Sequence, residues 1–151
     1  MSKEERIKRA GELFSSGYNC CQSVFAAFAD KYGIDEQTAL KLSCSFGGGM
    51  GRMREVCGAV SGMALVCGME TGNTDGANQT QKKENYENMR ELADRFKEEN
   101  GSIICRQLLG LEKMEESAEP LLRTAEYYKK RPCKELVMCA AQILAEEFEE
   151  E

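Results

Sequence analysis

The chain has no histidine, no tryptophan and only two prolines in 151 residues. Without histidine it has no imidazole base, no nitrogen ligand for a metal, no histidine-based hydrolytic triad or dyad, and no C-x-x-C-H haem attachment. It also lacks any apolar run approaching the roughly 20 residues of a membrane-spanning helix, so membrane insertion is not expected. Met1 to Ala10, MSKEERIKRA, is charged throughout and no signal-type apolar core follows it, which predicts a cytoplasmic location. The basic residues are dispersed in a chain of net charge −6 and pI near 5.0, which argues against a nucleic-acid partner. No useful length of β alternation occurs, and that directs the fold toward helices.

What the chain does have is eight cysteines and 14 glycines. In a compartment that keeps thiols reduced, eight cysteines favour metal binding or redox work over structural disulfides. Four glycines crowd the six residues from Gly47 to Arg52, a turn that permits positive φ and close backbone approach. From Cys57 the sequence CGAVSGMALVCGM predicts a small-residue apolar helix buried on most sides, ending near Gly68. Gly58 and Gly62 lie one turn apart in it, which predicts another backbone or a bulky group packed against them.

The remaining segments predict amphipathic helices. Lys3 to Ser15 carries Ile7, Ala10, Leu13 and Phe14 at helical spacing; Asn19 with Gln22 forms a capping box for a helix running up to Tyr32-Gly33. Asp35 caps a third helix to about Cys44. Glu70 to Ala77 reads as a surface loop, and Thr80 to Asn100 as a helix with Tyr86, Met89, Leu92, Ala93 and Phe96 inward and a Gly101 stop. Ser102 is the expected cap of a short helix bearing Cys105, and Leu111 to Arg131, broken by Pro120, is expected to form short helical pieces. Pro132, at a first helical position, opens the last helix, in which Leu136, Val137, Ala140, Ile143, Leu144 and Phe148 face inward. The tail Glu146 to Glu151 reads as a solvated, fraying helix end. The expected fold is all-α: a compact single-domain bundle over residues 1–151 of about six or seven helices, with the helix from Cys57 near its centre.

These readings put Cys20, Cys57, Cys105 and Cys133 each within about the first turn of a separate helix. A helix start presents unpaired N–H groups and the positive end of the macrodipole, which favour a thiolate. Four such ends can converge on one anionic centre, and these four cysteines are the candidate cofactor and metal ligands. Arg52, Arg54 and Arg106 are close in sequence and could add positive charge, although a solvated arginine is the plainer expectation for any one of them. Cys44, Cys67 and Cys139 lie in apolar helical surroundings and are expected in the core, as are Met50, Met53, Met63 and Met69. The GGGMG turn lacks a preceding strand and a following Lys-Ser or Lys-Thr, so a phosphate cradle is not expected.

NCCQSVFAAFADKYGI, FGGGMG followed by CGAVSG, GSIICRQLLG and PCKELVMCAAQIL, in that order, resemble the C_GCAxxG_C_C family of redox-active proteins from about Phe14 to Leu144. The resemblance implies four signature cysteines, which match by position Cys20, Cys57, Cys105 and Cys133, the same four singled out by their helix starts. Haem-carrying cytochromes that resemble this family are described as holding an iron–sulfur centre; their haem does not carry over to a chain without C-x-x-C-H. The chain departs from the pattern in its additional Cys21, Cys44, Cys67 and Cys139. Cys21 leaves open which of the Cys20-Cys21 pair is the ligand, Cys20 keeping the spacing after GYN.

Three functions compete. Four thiolates without histidine suit an iron–sulfur cluster acting in electron transfer, the leading expectation. A metal-free dithiol/disulfide redox protein is second, and a zinc-stabilised structural or partner-binding module third; zinc's usual paired C-x-x-C knuckles are absent. Electron transfer needs no acid or base, so no catalytic residue is assigned and a substrate-converting enzyme is not expected. The expected partner is a redox protein or oxidoreductase, with a homodimer as a further option.

Overall fold

The computed structural model describes residues 1–111, 117–125, 127 and 132–148. Among them are seven α-helices, one 3-10 turn and no strand beyond an isolated antiparallel bridge between Val56 and Ile104. The all-α expectation holds.

Helix α1 spans Lys3–Ser15 and starts with a capping box in which the Ser2 hydroxyl accepts from Glu5 N and the Glu5 carboxylate accepts from Ser2 N. Helix α2 spans Cys20–Ala26 behind the expected Asn19/Gln22 box. It does not continue to Tyr32: the chain turns at Ala27 and re-forms as a 3-10 turn over Ala29–Tyr32, closed by Gly33 in the left-handed region. The buried Arg6 guanidinium donates to Ala27 O at 2.9 Å and lies over the Phe28 ring, so α1 satisfies the carbonyl exposed at this break. Helix α3, Glu36–Cys44, is capped by Asp35 as its sequence predicts.

Helix α4 spans Gly58–Thr71 with Cys57 at its cap position, and α5 spans Gln79–Asn100 between an Asn78 cap and the left-handed Gly101. Helix α6 is only Cys105–Leu108. Ser102 does not cap it, because Ile104 holds that position; the Ser102 hydroxyl accepts instead from Ile104 N at 2.9 Å. Helix α7 is Cys133–Glu147, with Pro132 one residue before the first helical position. The expected helical pieces between Leu111 and Arg131 lie in part outside the described residues, Met114 and Tyr128 included. Within the described part, residues 117–124 are not helical, and Leu121 and Leu122 are exposed.

The core is one cluster of buried side chains with Phe14, Phe25, Met63, Leu92, Phe96, Ile143 and Leu144 among its largest members. Helix α4 packs against α2, α5 and α7, and α1 against α2 and α7. Glycine permits the α2–α4 approach. A Cβ on Gly58 would stand 3.1 Å from Cys20 Cβ and Cys21 N, and one on Gly62 only 2.7 Å from Val24 Cβ.

Several residues expected inside are not there. Tyr86 is 60% exposed, because it falls outside the narrow stripe that α5 turns to α4 and α7 through Leu92 and Phe96. Met50 and Met53 are exposed on the glycine turn and Met69 on the last turn of α4, leaving Met63 the core methionine of the four. Cys44, at the end of α3, is exposed as well. The acidic end of α7 is less free than expected: Arg95 Nη2 reaches Glu146 at 2.7 Å and Lys3 Nζ reaches it at 3.0 Å, holding its carboxyl down at about 2. Residues 149–151 of that tail lie outside the described residues.

The glycines of α4 give a paired test. Gly62→Ala should lower stability by about 1–3 kcal/mol, because the new methyl meets a neighbouring helix at Val24 Cβ. Gly68→Ala meets nothing within 4 Å and should raise it by up to about 1 kcal/mol through helix propensity. Denaturant unfolding of the two variants beside the parent measures both signs.

Candidate functional site

Cys20, Cys57, Cys105 and Cys133 come from the starts of four different helices, and all four line one cavity of about 60 Å³. Cys20 sits in the first turn of α2, held there by the Asn19 box. Cys57 precedes α4 and faces α2 across the glycine contact. Cys105 and Cys57 are tied together through the backbone: Cys57 N donates to Ile103 O at 2.8 Å, Cys105 N to Glu55 O at 2.6 Å and Arg106 N to Arg54 O at 3.2 Å. Segments 54–57 and 103–106 therefore run as a short antiparallel ladder carrying one cysteine each.

The glycine turn closes one side. Five consecutive residues, Gly48 to Arg52, have φ of 65°, 69°, 71°, 54° and 64°, a left-handed turn. For L-residues such a turn costs roughly 1–2 kcal/mol each, so glycine at three of the five keeps it accessible. The turn is laced by its own hydrogen bonds, including Met50 N to Phe46 O, Arg52 N to Gly47 O and Glu55 N to Gly49 O. A Cβ on Gly49 would lie 2.7 Å from Cys105 Cβ. The expected close packing of this turn thus falls on a cysteine of the site.

Of the three nearby arginines, one reaches the cavity. Arg54 is 6% exposed, lines the cavity and donates from Nη1 to Cys105 Sγ at 3.6 Å. Arg106 is spent on Arg54 O and on Glu55 Oε2, each at 3.3 Å. Arg52 points to Ser117 O at 3.1 Å and to Glu119 O. A residue that sequence reasoning missed is Arg123, which donates to Phe14 O and Tyr18 O and stacks on the Phe14 and Tyr127 rings at the cavity wall. Its stretch reads only as short helical pieces broken by Pro120, and nothing in that local pattern points Arg123 to the cavity.

The other cysteines stand apart from the cavity. Cys21 is fully buried and does not line the cavity, so Cys20 is the member of the pair that does. Cys67 is buried, with Asn85 Nδ2 at 3.6 Å from its sulfur, and half-buried Cys139 donates to Glu99 Oε2 at 2.8 Å. Exposed Cys44 lines a groove that shares Asn19, Gly48, Arg54, Arg123 and Tyr127 with the cavity.

Electrostatically the cavity opposes its own ionisation. Cys20 is held well above its ordinary value, first by a hydrogen bond with Cys133, then by burial, and then by charge on Cys133, Cys57 and Cys105. Burial pushes Cys57 up to about 12 even though the amides of Ala59 and Val60 favour its thiolate. For Cys20 and Cys57 the expectation that a helix start makes the thiol acidic is therefore reversed: desolvation and neighbouring sulfurs outweigh the helix ends.

The donor set, four thiols at one place, suits a thiophilic centre in type. Among the described residues, no three Cys, Asp or Glu side chains are gathered tightly enough to hold a single ion as they stand.

The family model described as "Putative redox-active protein (C_GCAxxG_C_C)" matches residues 18–147. The chain belongs to this family. No curated protein and no solved structure matches it. The family is described as redox-active, and the cavity is where Cys20, Cys57, Cys105 and Cys133 meet. No helix among the described residues is long and apolar enough to cross a membrane.

The raised thiols carry a pH prediction for the reduced, metal-free protein. Burial lifts Cys21 and Cys57 from 9.0 to about 12, so the fold favours their neutral forms. Their stabilising effect is whole below about pH 9, where the unfolded chain is also protonated, and is lost as pH rises toward about 12, each thiol contributing up to about 1.4 kcal/mol per pH unit. Denaturant unfolding across that window should show a shallower decline for Cys21→Ala than for the parent.

Proposed function

We propose that this protein carries electrons on an iron–sulfur cluster held by Cys20, Cys57, Cys105 and Cys133. The observation that carries the reading is the convergence of these four thiols, and none of the other four cysteines, on one cavity. Four cysteines from four separated segments, with none of zinc's paired C-x-x-C knuckles, favour a buried polynuclear centre over zinc. When bound, such a cluster would supply a one-electron couple with no acid or base required, in keeping with a chain that has no histidine.

The chain's own residues do the rest. The α2–α4 contact and the 54–57/103–106 ladder fix three sulfurs, α7 brings the fourth, and Phe14, Leu108, Leu109 and Leu136 line the cavity with apolar groups that limit water. Eight cysteines in one chain fit a reducing, cytoplasmic setting, and the electron would pass to or from a redox partner protein or oxidoreductase.

A second reading has its own observation. The hydrogen-bonded Cys20 and Cys133 are the pair best placed to form a disulfide in a metal-free dithiol protein, giving two electrons and two protons to an oxidised partner disulfide.

Anaerobic purification with iron, sulfide and zinc analysis and an absorption spectrum tests both. Wild-type protein should contain iron and sulfide and absorb in the visible; Cys57→Ser should lose both signals, and Cys67→Ser should keep them while losing some stability. Colourless, iron-free protein after reconstitution would remove the cluster reading, and a Cys20–Cys133 disulfide in it would establish the second. Zinc in place of iron would mark a structural module.

A further inference from the structure

A buried arginine against a cysteine sulfur is an unusual thing for a fold to build. Arg54 is 6% exposed and sits at φ 62°, a conformation costly for a side-chain-bearing residue. The backbone around it is pinned on both sides, by Arg54 N to Gly48 O at 3.1 Å and by Arg106 N and Nη1 to Arg54 O. A Cβ on Gly49 would lie 2.8 Å from Arg54 Cα, so the turn is shaped to let this residue in. Its guanidinium ends at Cys105 Sγ, 3.6 Å away, inside the cavity of the four cysteines. Arg52 and Arg106, its neighbours in sequence and space, are engaged elsewhere on carbonyls and on Glu55.

We infer that Arg54 is the positive charge held against a sulfur of the site, Arg123 at the same wall donating to the Phe14 and Tyr18 carbonyls, and that Arg54 is a positioning residue that acts through Cys105 Sγ to balance the anionic centre the four sulfurs make when loaded. This rests on the reading of those sulfurs as holders of such a centre. Ligating sulfurs are thiolates, and their repulsion in a small, apolar-walled cavity is offset best by a cation that cannot retreat to water. A fixed cation also favours the more negative, reduced state of the centre over the oxidised one. Arg54 therefore raises the reduction potential, and lysine, with the same charge and a different shape, substitutes in part.

Two measurements on the full chain test this. In cluster-loaded protein, Arg54→Met should shift the midpoint potential downward and Arg54→Lys should restore part of the shift. In reduced, metal-free protein, the rates at which iodoacetate and iodoacetamide alkylate Cys105 are compared by mass spectrometry. Both reagents attack the same thiolate, so their ratio reports local charge alone. The iodoacetate preference should fall by about fivefold or more in Arg54→Met and stay in Arg54→Lys, the scale expected for one charge a few ångströms away in a half-screened site. Should the variants not fold, the wild-type ratio at Cys105 in folded protein must exceed the ratio in urea. An unchanged ratio in Arg54→Met, an equal fall in both variants, or no difference between folded and unfolded wild type overturns the inference. If wild-type protein takes up no iron or sulfide, the cluster reading fails by itself, and the alkylation ratio still decides the role of Arg54.

Discussion

Two helices meet at backbone distance where Gly58 and Gly62 of α4 face Cys20, Cys21 and Val24 of α2, and the geometry of the whole site depends on that contact. Side chains at those positions would hold the helices apart by the width of at least a methyl group. Cys20 and Cys57 would then separate, and the small cavity would open or fill. The close contact also explains why α4 accepts two interior glycines despite their cost in helix propensity. Here the packing requirement of the site and that of the core coincide, since α4 is also the helix that joins α2, α5 and α7.

Around that contact the electrostatics run against ionised thiols. Helix starts supply favourable amides to Cys57, yet burial is the larger effect, and the neighbouring sulfurs add repulsion to Cys20. In the reduced, metal-free protein Cys20 and Cys57 favour their neutral forms, and the guanidinium of Arg54 stands at Cys105 Sγ with that of Arg123 at the cavity wall. Loading any thiophilic centre would release protons and convert the same groups into an anionic set, which couples assembly to pH. Arg54 then becomes the group whose charge matters most, because it is already desolvated and already at the sulfur.

The glycine turn serves this arrangement through shape. Its left-handed course carries the chain from α3 past Asn19 and back along Cys105, and it delivers Arg54 and Cys57 within four residues of each other. The cost of positive φ at Met50, Arg52 and Arg54 is borne by hydrogen bonds within the turn and by the ladder to segment 103–106. Strain of this kind persists only where the surroundings over-determine it, and here they do so beside the four cysteines.

The all-α class, six of the seven helices to within a few residues, the caps at Asn19 and Asp35, and the four cysteines that share the cavity were legible in the sequence. Each rests on local rules: capping chemistry, 3.6-residue periodicity, and the placement of cysteine at helix starts. The pairing of Gly58 and Gly62 announced a close contact, although not its partner. What only the tertiary structure decided is long-range. Cys20 rather than Cys21 lines the cavity because α2 is rotated by its contact with α4, and Arg54 rather than Arg52 or Arg106 enters because the left-handed turn aims it there. Cys44, Met50, Met53, Met69 and Tyr86 carry apolar side chains yet stay outside, since hydrophobicity makes burial favourable but only the packing of neighbouring helices determines which face has something to be buried against. Arg123 joins the site from a stretch whose partial helical spacing does not point to the cavity, and the raised thiols of Cys20 and Cys57 reverse the local expectation. Desolvation depends on everything packed around a group, and no window of sequence contains that information.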